Sequence, residues 1–183
     1  MSVTDPPPLF VLSPFEKQPL IHHSGNSNTI PVTTWCIMHI ARSPDLLEEV
    51  RKEVMTAYET SPTSTGQQRI INAQTLLSLP LLQSIYTEGL RLHVSMNVTR
   101  QVTGPLELGG VTLEKGAILQ AATEISHYDE ETWGMEGHPA SEFWAERHVQ
   151  YVDEVGDDGK TKRARRFVLA GGPNDFFPYG TYY

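Results

Sequence analysis

Residues 80–93 read Pro-Leu-Leu-Gln-Ser-Ile-Tyr-Thr-Glu-Gly-Leu-Arg-Leu-His. A proline at the first position of a helix loses only a donor that has no partner there anyway. Leu82, Ile85, Gly89 and Leu92 then recur at spacings of three and four, which predicts a helix from about Pro80 to Leu92. Glu88 and Arg91 stand three apart on that helix, so they share a face beside its apolar stripe. Taken alone, such a pair reads as a surface ion pair that contributes little. Its reading depends on what surrounds it in the rest of the chain.

The chain has 183 residues, 39% hydrophobic and 20% charged, enough apolar material for one core. Its formal charge of −8 argues against wrapping nucleic acid, where phosphates need clustered Lys and Arg. A single cysteine, Cys36, excludes an internal disulfide framework and a Cys-rich zinc site. No apolar run is long enough to span a bilayer, and the N-terminus lacks a basic-then-apolar signal pattern. No P-loop, Gly-x-Ser-x-Gly or His-Glu-x-x-His pattern occurs, and no metal site is expected. His22-His23 is too isolated for one, and His39, His93, His127, His138 and His148 share no spacing.

Upstream, residues 1–23 read as an irregular arm rich in proline. From Asn28 a largely apolar helix is expected, with Pro31 in its first turn and Ile30, Trp35, Ile37, Met38 and Ile40 buried on the way to Ala41. Ser43-Pro44-Asp45 supplies an N-cap, a proline at the first position and an acid near the positive helix end. Leu47, Val50, Val54 and Ala57 carry that amphipathic helix to about Tyr58, with Glu48 and Lys52 paired on its wet side. Ser61 to Gly66 reads as a loop, and a short helix covers Ala73 to Leu77.

Downstream, the period shifts to two. Leu106, Leu108, the turn Gly109-Gly110, Val111 and Leu113 predict a hairpin, with a third strand over Ala117–Ala121. Residues 126–150 look mixed, with a short helix near Asp129–Trp133. Val152 to Arg166 sets acids before Gly159 and bases after it, the pattern of a solvated hairpin whose arms attract each other. The expected class is mainly α with a small β-sheet, an α+β fold.

Two further segments change the reading of Glu88 and Arg91. Phe143-Trp144-Ala145-Glu146-Arg147 supplies another arginine, and Phe176-Phe177-Pro178-Tyr179-Gly180 is a turn-forming aromatic stretch. Glu-x-x-Arg, small sheet, Trp-Gly, Phe-x-x-Glu-Arg and Phe-x-Pro-aromatic-Gly, in this order, resemble the C-terminal part of the cytochrome P450 haem-thiolate monooxygenases. Each motif is weak alone; the ordered set is strong. The resemblance assigns residues 24–183 to the C-terminal part of such a domain. It implies that Glu88, Arg91 and Arg147 form a buried architectural network. Arg100 would face a propionate of the haem (heme) cofactor, for which a guanidinium is suited, and Phe177, Pro178, Tyr179 and Gly180 would form the loop beneath the haem. Ala145 departs from a proline common in the family.

Asn28-Thr29-Ile30-Pro31 with Trp35 is similar to the distal helix of the subgroup containing sterol 7α-hydroxylases and prostacyclin synthase. The resemblance makes Asn28 and Thr29 the catalytic candidates. Asn28 takes either the acid or the threonine position of the family's usual pair. An amide can hold water or a substrate oxygen but is no carboxylate proton relay. Oxygen insertion and rearrangement of a peroxide without external electrons both stay open.

The family's loop continues to a cysteine whose thiolate binds iron. Here Tyr182 stands where a glycine belongs and the chain stops at Tyr183, so the ligand would fall about three residues further on, by that resemblance. Cys36 lies on the distal-helix segment and reads as a small buried apolar side chain. The expectation is therefore a truncated or mispredicted product, inactive by itself. An intact relative would oxidise a lipophilic small molecule, take electrons from an NADPH-dependent reductase, bind no nucleic acid, and sit at the endoplasmic reticulum membrane. No anchor is expected in this chain, and its own localisation is left open. The rival readings are a haem-free interaction or structural protein and a non-functional translation product.

Overall fold

The computed structural model describes residues 29–63, 66–155, 159–172 and 174–179. Helix α1 covers residues 29–42 and α2 covers Pro44–Met55. Ser43 separates them, its Oγ accepting the Leu46 N–H at 3.3 Å, so the cap and proline predicted for α2 are both in place. Strands β1 (Tyr58–Thr63) and β2 (Gly66–Ile71) pair antiparallel where a loop was expected. The expected helix stops three residues short of Tyr58, at Met55, because the hairpin's β-branched Thr60, Ile70 and Ile71 favour an extended backbone. Helix α3 (Ala73–Leu77) leads into α4 (Pro80–His93).

After α4 come β3 (Asn97–Gln101), β4 (Leu106–Leu108), β5 (Val111–Leu113) and β6 (Ile118–Ala122). The predicted hairpin β4–β5 closes through Gly109 and Gly110, at φ 57° and 78°, a turn that needs positive φ at both residues. The predicted third strand is β6, but its partner is β3, which the sequence did not announce. Short helices α5 (Thr123–His127) and α6 (Glu130–Trp133) precede the hairpin of β7 (Val149–Val155) and β8 (Thr161–Phe167). Its arms are joined as expected, Arg166 reaching Glu154 at 3.1 Å. The described residues thus hold four two-stranded antiparallel sheets, not one small sheet, and the class is α+β, not mainly α.

Helix α4 organises these pieces. Leu81, Ser84, Ile85, Thr87 and Glu88 through Leu92 are all buried. Its N-cap residue, Leu79, makes no side-chain cap. Glu53 of α2 does so instead, its two carboxylate oxygens each accepting one N–H at 3.0 Å, from Leu81 and Leu82. A carboxylate on unpartnered donors at the positive helix end fixes α4 against α2. Glu53 is thereby committed to α4, while Lys52 pairs with Glu49 at 3.8 Å, not with the expected Glu48.

The core joins Val32 and Cys36 of α1, Val50 of α2, Leu81, Ile85 and Leu90 of α4, Val94 and Ala145. Helix α1 meets it along one i,i+4 stripe, so Ile30 (61% exposed) and Ile37 (60%) face outward, contrary to a wholly buried helix. The approach of α1 to α4 is tight at Gly89, where an added Cβ would stand 2.7 Å from Cys36 Sγ. Cys36 donates to the Ile85 carbonyl at 3.6 Å, and burial pushes its thiol pKa up.

Gly89→Ala is expected to lower the denaturation midpoint, since overpacking costs roughly 1–3 kcal/mol against about 0.5–1 kcal/mol gained in helix propensity. In a Cys36→Ala background the sulfur is gone and the same substitution should become stabilising. Urea melts of the four proteins measure both signs. A stabilising Gly89→Ala in the wild-type background would refute the close approach.

Candidate functional site

Glu88 sits on the inner face of α4, one turn before the helix end, and its side chain has 0% exposure. Its Oε1 accepts from Arg91 Nη2 at 2.8 Å, Arg147 Nε at 2.8 Å and the Trp144 N–H at 3.2 Å. Its Oε2 accepts from Arg91 Nε at 2.8 Å, and His148 Nε2 lies 3.5 Å away. The structure therefore brings together Glu88, Arg91 and Arg147, all fully buried. Burial pushes the Glu88 carboxyl up, but hydrogen bonds from Arg91 and Arg147, the Arg91 charge and the nearby His148 ring outweigh it, and the group is lowered to about 2.

Two guanidiniums against one carboxylate leave an excess positive charge inside the protein. Backbone carbonyls absorb it. Arg91 Nη1 donates to the His127 carbonyl. Arg147 Nη1 donates to the carbonyls of Trp133 and His138, and Nη2 to those of Pro139 and Glu142, both at 3.0 Å. Residues 133–142, with little regular structure of their own, thus fold around one guanidinium, whose rigid fork of donors suits that task. Ala145, where the family often has a proline, is buried.

The closing aromatic segment hangs on the same framework. The Phe177 N–H donates to His127 Nε2 at 3.2 Å, and the Ala170 N–H to His148 Nδ1 at 3.0 Å. Phe176 stacks on the His127 ring, with centroids 5.5 Å apart. Pro178 is buried, and the Tyr179 and Tyr86 hydroxyls are 3.3 Å apart. Burial pushes the His127 imidazole below its ordinary value. Neither histidine was singled out from the sequence; only the adjacency of His148 to Arg147 hinted at one of them.

The remaining candidates are dispersed. Arg100 is exposed on β3 opposite Leu119, and its Nη1 donates to the Thr99 carbonyl at 2.9 Å. Thr29 is exposed at the start of α1. Asn28 and Gly180 lie outside the described residues.

A second cluster ties α1 to α4. His39 Nε2 and His93 Nε2 are 2.9 Å apart, Trp35 stacks on His93 at 4.1 Å, and Phe143 stacks on His39 at 3.8 Å. Burial lowers the His93 pKa to about 4, helped by the charge His39 would carry, and burial and Arg42 lower that of His39.

A family model for cytochrome P450 matches residues 21–147, a stretch that includes all three members of the buried network. The chain belongs to the cytochrome P450 family. It is 45% identical over 155 residues to the cytochrome P450 monooxygenase calL of Penicillium decumbens, which covers 85% of this chain and 27% of that protein. It is 28% identical over 171 residues to the monooxygenase efuG of Hormonema carpetanum, covering 85% and 30%. It is 27% identical over 133 residues to cytochrome P450 714C3 of Oryza sativa subsp. japonica, covering 72% and 24%. The chain thus spans about a quarter to a third of the length of these curated relatives. No helix among the described residues is long and apolar enough to cross a membrane.

Intact P450 proteins carry haem, held through a cysteine thiolate. The one cysteine here does not fit that ligand. Cys36 packs between α1 and α4, its Sγ donates to a helix carbonyl, and burial disfavours the thiolate.

Glu88→Ala leaves two buried guanidiniums without their carboxylate and is expected to cost roughly 3–5 kcal/mol. Glu48→Ala, on the exposed face of α2, should leave the urea midpoint nearly unchanged. Equal shifts would make the Glu88 network an ordinary surface contact.

Stability is also expected to fall on mild acidification. A histidine held neutral in the fold binds its proton more readily when unfolded, so its contribution is complete above about 6.5. For His93 it is lost as pH drops towards about 4. Thermal melts between those values should show the loss, and His39→Asn with His93→Asn should reduce it, leaving the part that His127 contributes. A wild-type profile that is level there would contradict the half-buried pair.

Proposed function

We propose that this chain is the C-terminal scaffold of a P450 monooxygenase that oxidises a lipophilic small molecule. In this reading residues 24–183 belong to the catalytic domain; residues 1–23, read from the sequence as an arm, lie outside the described residues. The observation that carries it is the buried Glu88–Arg91–Arg147 network, within the stretch matched to the family. Electrons would come from an NADPH-dependent reductase, and the whole protein would work at the endoplasmic reticulum membrane.

The site residues divide by side. Phe177, Pro178, Tyr179 and Gly180 would line the face of the haem that receives the thiolate, and Arg100 would hold a propionate. Bound haem supplies oxygen activation; these residues orient and shield it. Asn28 and Thr29 would stand on the opposite face, in the manner of the sterol 7α-hydroxylase and prostacyclin synthase subgroup. There an amide orients water or a substrate oxygen without giving up a proton. Because Cys36 is committed to the helix core, we expect the 183-residue chain alone to support no monooxygenation.

A chimera tests the scaffold reading. Residues 24–179 would replace the matching segment of the calL monooxygenase, whose own downstream sequence is kept. The expected result is haem incorporation with a thiolate-type carbon monoxide spectrum, and loss of both on adding Glu88→Ala. A folded chimera that takes up no haem would defeat the proposal. Turnover by the pure 183-residue chain with haem, reductase and NADPH would defeat the expectation of inactivity.

A further inference from the structure

His127 and His148 are fully buried, and each keeps one ring nitrogen without a hydrogen-bond partner among the described residues: Nδ1 of His127 and Nε2 of His148. Neither histidine would touch a substrate. What they share is the other nitrogen. His127 Nε2 accepts the Phe177 N–H, and His148 Nδ1 accepts the Ala170 N–H. An imidazole nitrogen accepts only when it carries no proton, so these two bonds fix opposite tautomers. His127 must carry its proton on Nδ1 and His148 on Nε2.

Both histidines are also anchored to the Glu88 network, each through a different arm. The His127 carbonyl accepts from Arg91, and Ser126 beside it donates to the Asp175 carbonyl at 3.3 Å. His148 follows Arg147 directly, and its own N–H donates to Ser84 Oγ on α4 at 3.1 Å. Its carbonyl accepts the Val168 N–H at 2.8 Å, so it grips the segment after β8 twice. Its protonated Nε2 faces Glu88 Oε2.

We infer that His127 and His148 are a pair of positioning residues, locked in opposite neutral tautomers, that suspend Ala170 and Phe177 from the Glu88–Arg91–Arg147 network. Each imidazole works as a backbone acceptor at a place where no sheet or helix partner is available to that N–H. The network then sets more than the fold of α4. It sets the height and direction at which the closing aromatic segment leaves the core. The tether requires no bound haem; its value for a haem loop rests on the function proposed above.

Imidazole nitrogen NMR of the uniformly labelled 183-residue protein at neutral pH reads the tautomers directly. His127 should give the Nδ1–H pattern and His148 the Nε2–H pattern. The same tautomer at both sites, or averaging at either, would overturn the inference whatever becomes of haem binding. Amide hydrogen exchange then assigns the tethers. His127→Phe keeps the aromatic volume and should speed exchange at Phe177 by about tenfold, the scale of one lost hydrogen bond, with Ala170 little changed. His127→Gln places an oxygen near the lost Nε2 and should restore protection. His148→Phe should act on Ala170, with rescue by His148→Asn, whose oxygen lies near the lost Nδ1. Unchanged protection in both Phe variants, or no rescue by the amides, would overturn the positioning role. If the Phe variants do not fold, the tautomer spectrum of the wild-type protein still decides.

Discussion

The structure depends on one buried carboxylate. Glu88 collects four donated hydrogen bonds from Arg91, Arg147 and the Trp144 backbone, and none of the three charged groups reaches solvent. Isolating such charges from water is expensive, and the arrangement holds only because every oxygen and most of the guanidinium donors are engaged. That demand for partners is what recruits the rest of the chain. Arg91 draws in the end of α5, and Arg147 draws in residues 133–142 through four carbonyls. A segment with almost no secondary structure thereby acquires one defined path.

The same constraint shapes the neighbouring elements. Helix α4 is buried along much of its length, and its N-cap residue offers no side-chain acceptor. Glu53 supplies the missing acceptors from α2, and Gly89 admits α1 to within contact of the backbone. Histidines complete the pattern. His39 and His93 join α1 to the far end of α4, while His127 and His148 reach the opposite way, to the segment after β8. Four imidazoles at such places explain why their sequence spacing carried no signal: two pair with each other and two accept from backbone N–H groups, and none shares a common ligand.

Much of this was legible in the sequence. Spacing and capping located α2, α3 and α4, and Gly109-Gly110 located its hairpin, because those signals are local. The order of Glu88, Arg91 and Arg147 among the other motifs pointed to the family that the comparison then matched. The misreadings share a cause. The loop expected over Ser61–Gly66 is a hairpin, β6 pairs with the unannounced β3, and α1 leaves Ile30 and Ile37 outside. Each depends on which segment lies alongside, the adjoining strand for the hairpin and a more distant element for β6 and α1, and periodicity says nothing about that. The histidine tethers were invisible for the same reason, since a backbone N–H seeking an acceptor leaves no trace in composition.

The central claim is that Glu88 stays ionised in the interior and holds the surrounding segments in place. A carboxyl-carbon NMR titration of Glu88 in the folded protein tests it most directly. The account predicts a side chain still ionised well below the ordinary carboxylate range, with a midpoint at about 2 or with unfolding arriving first. A Glu88 that titrates in the folded state near the ordinary glutamate value of about 4.3 would mean that the arginines do not hold it, and would contradict the account.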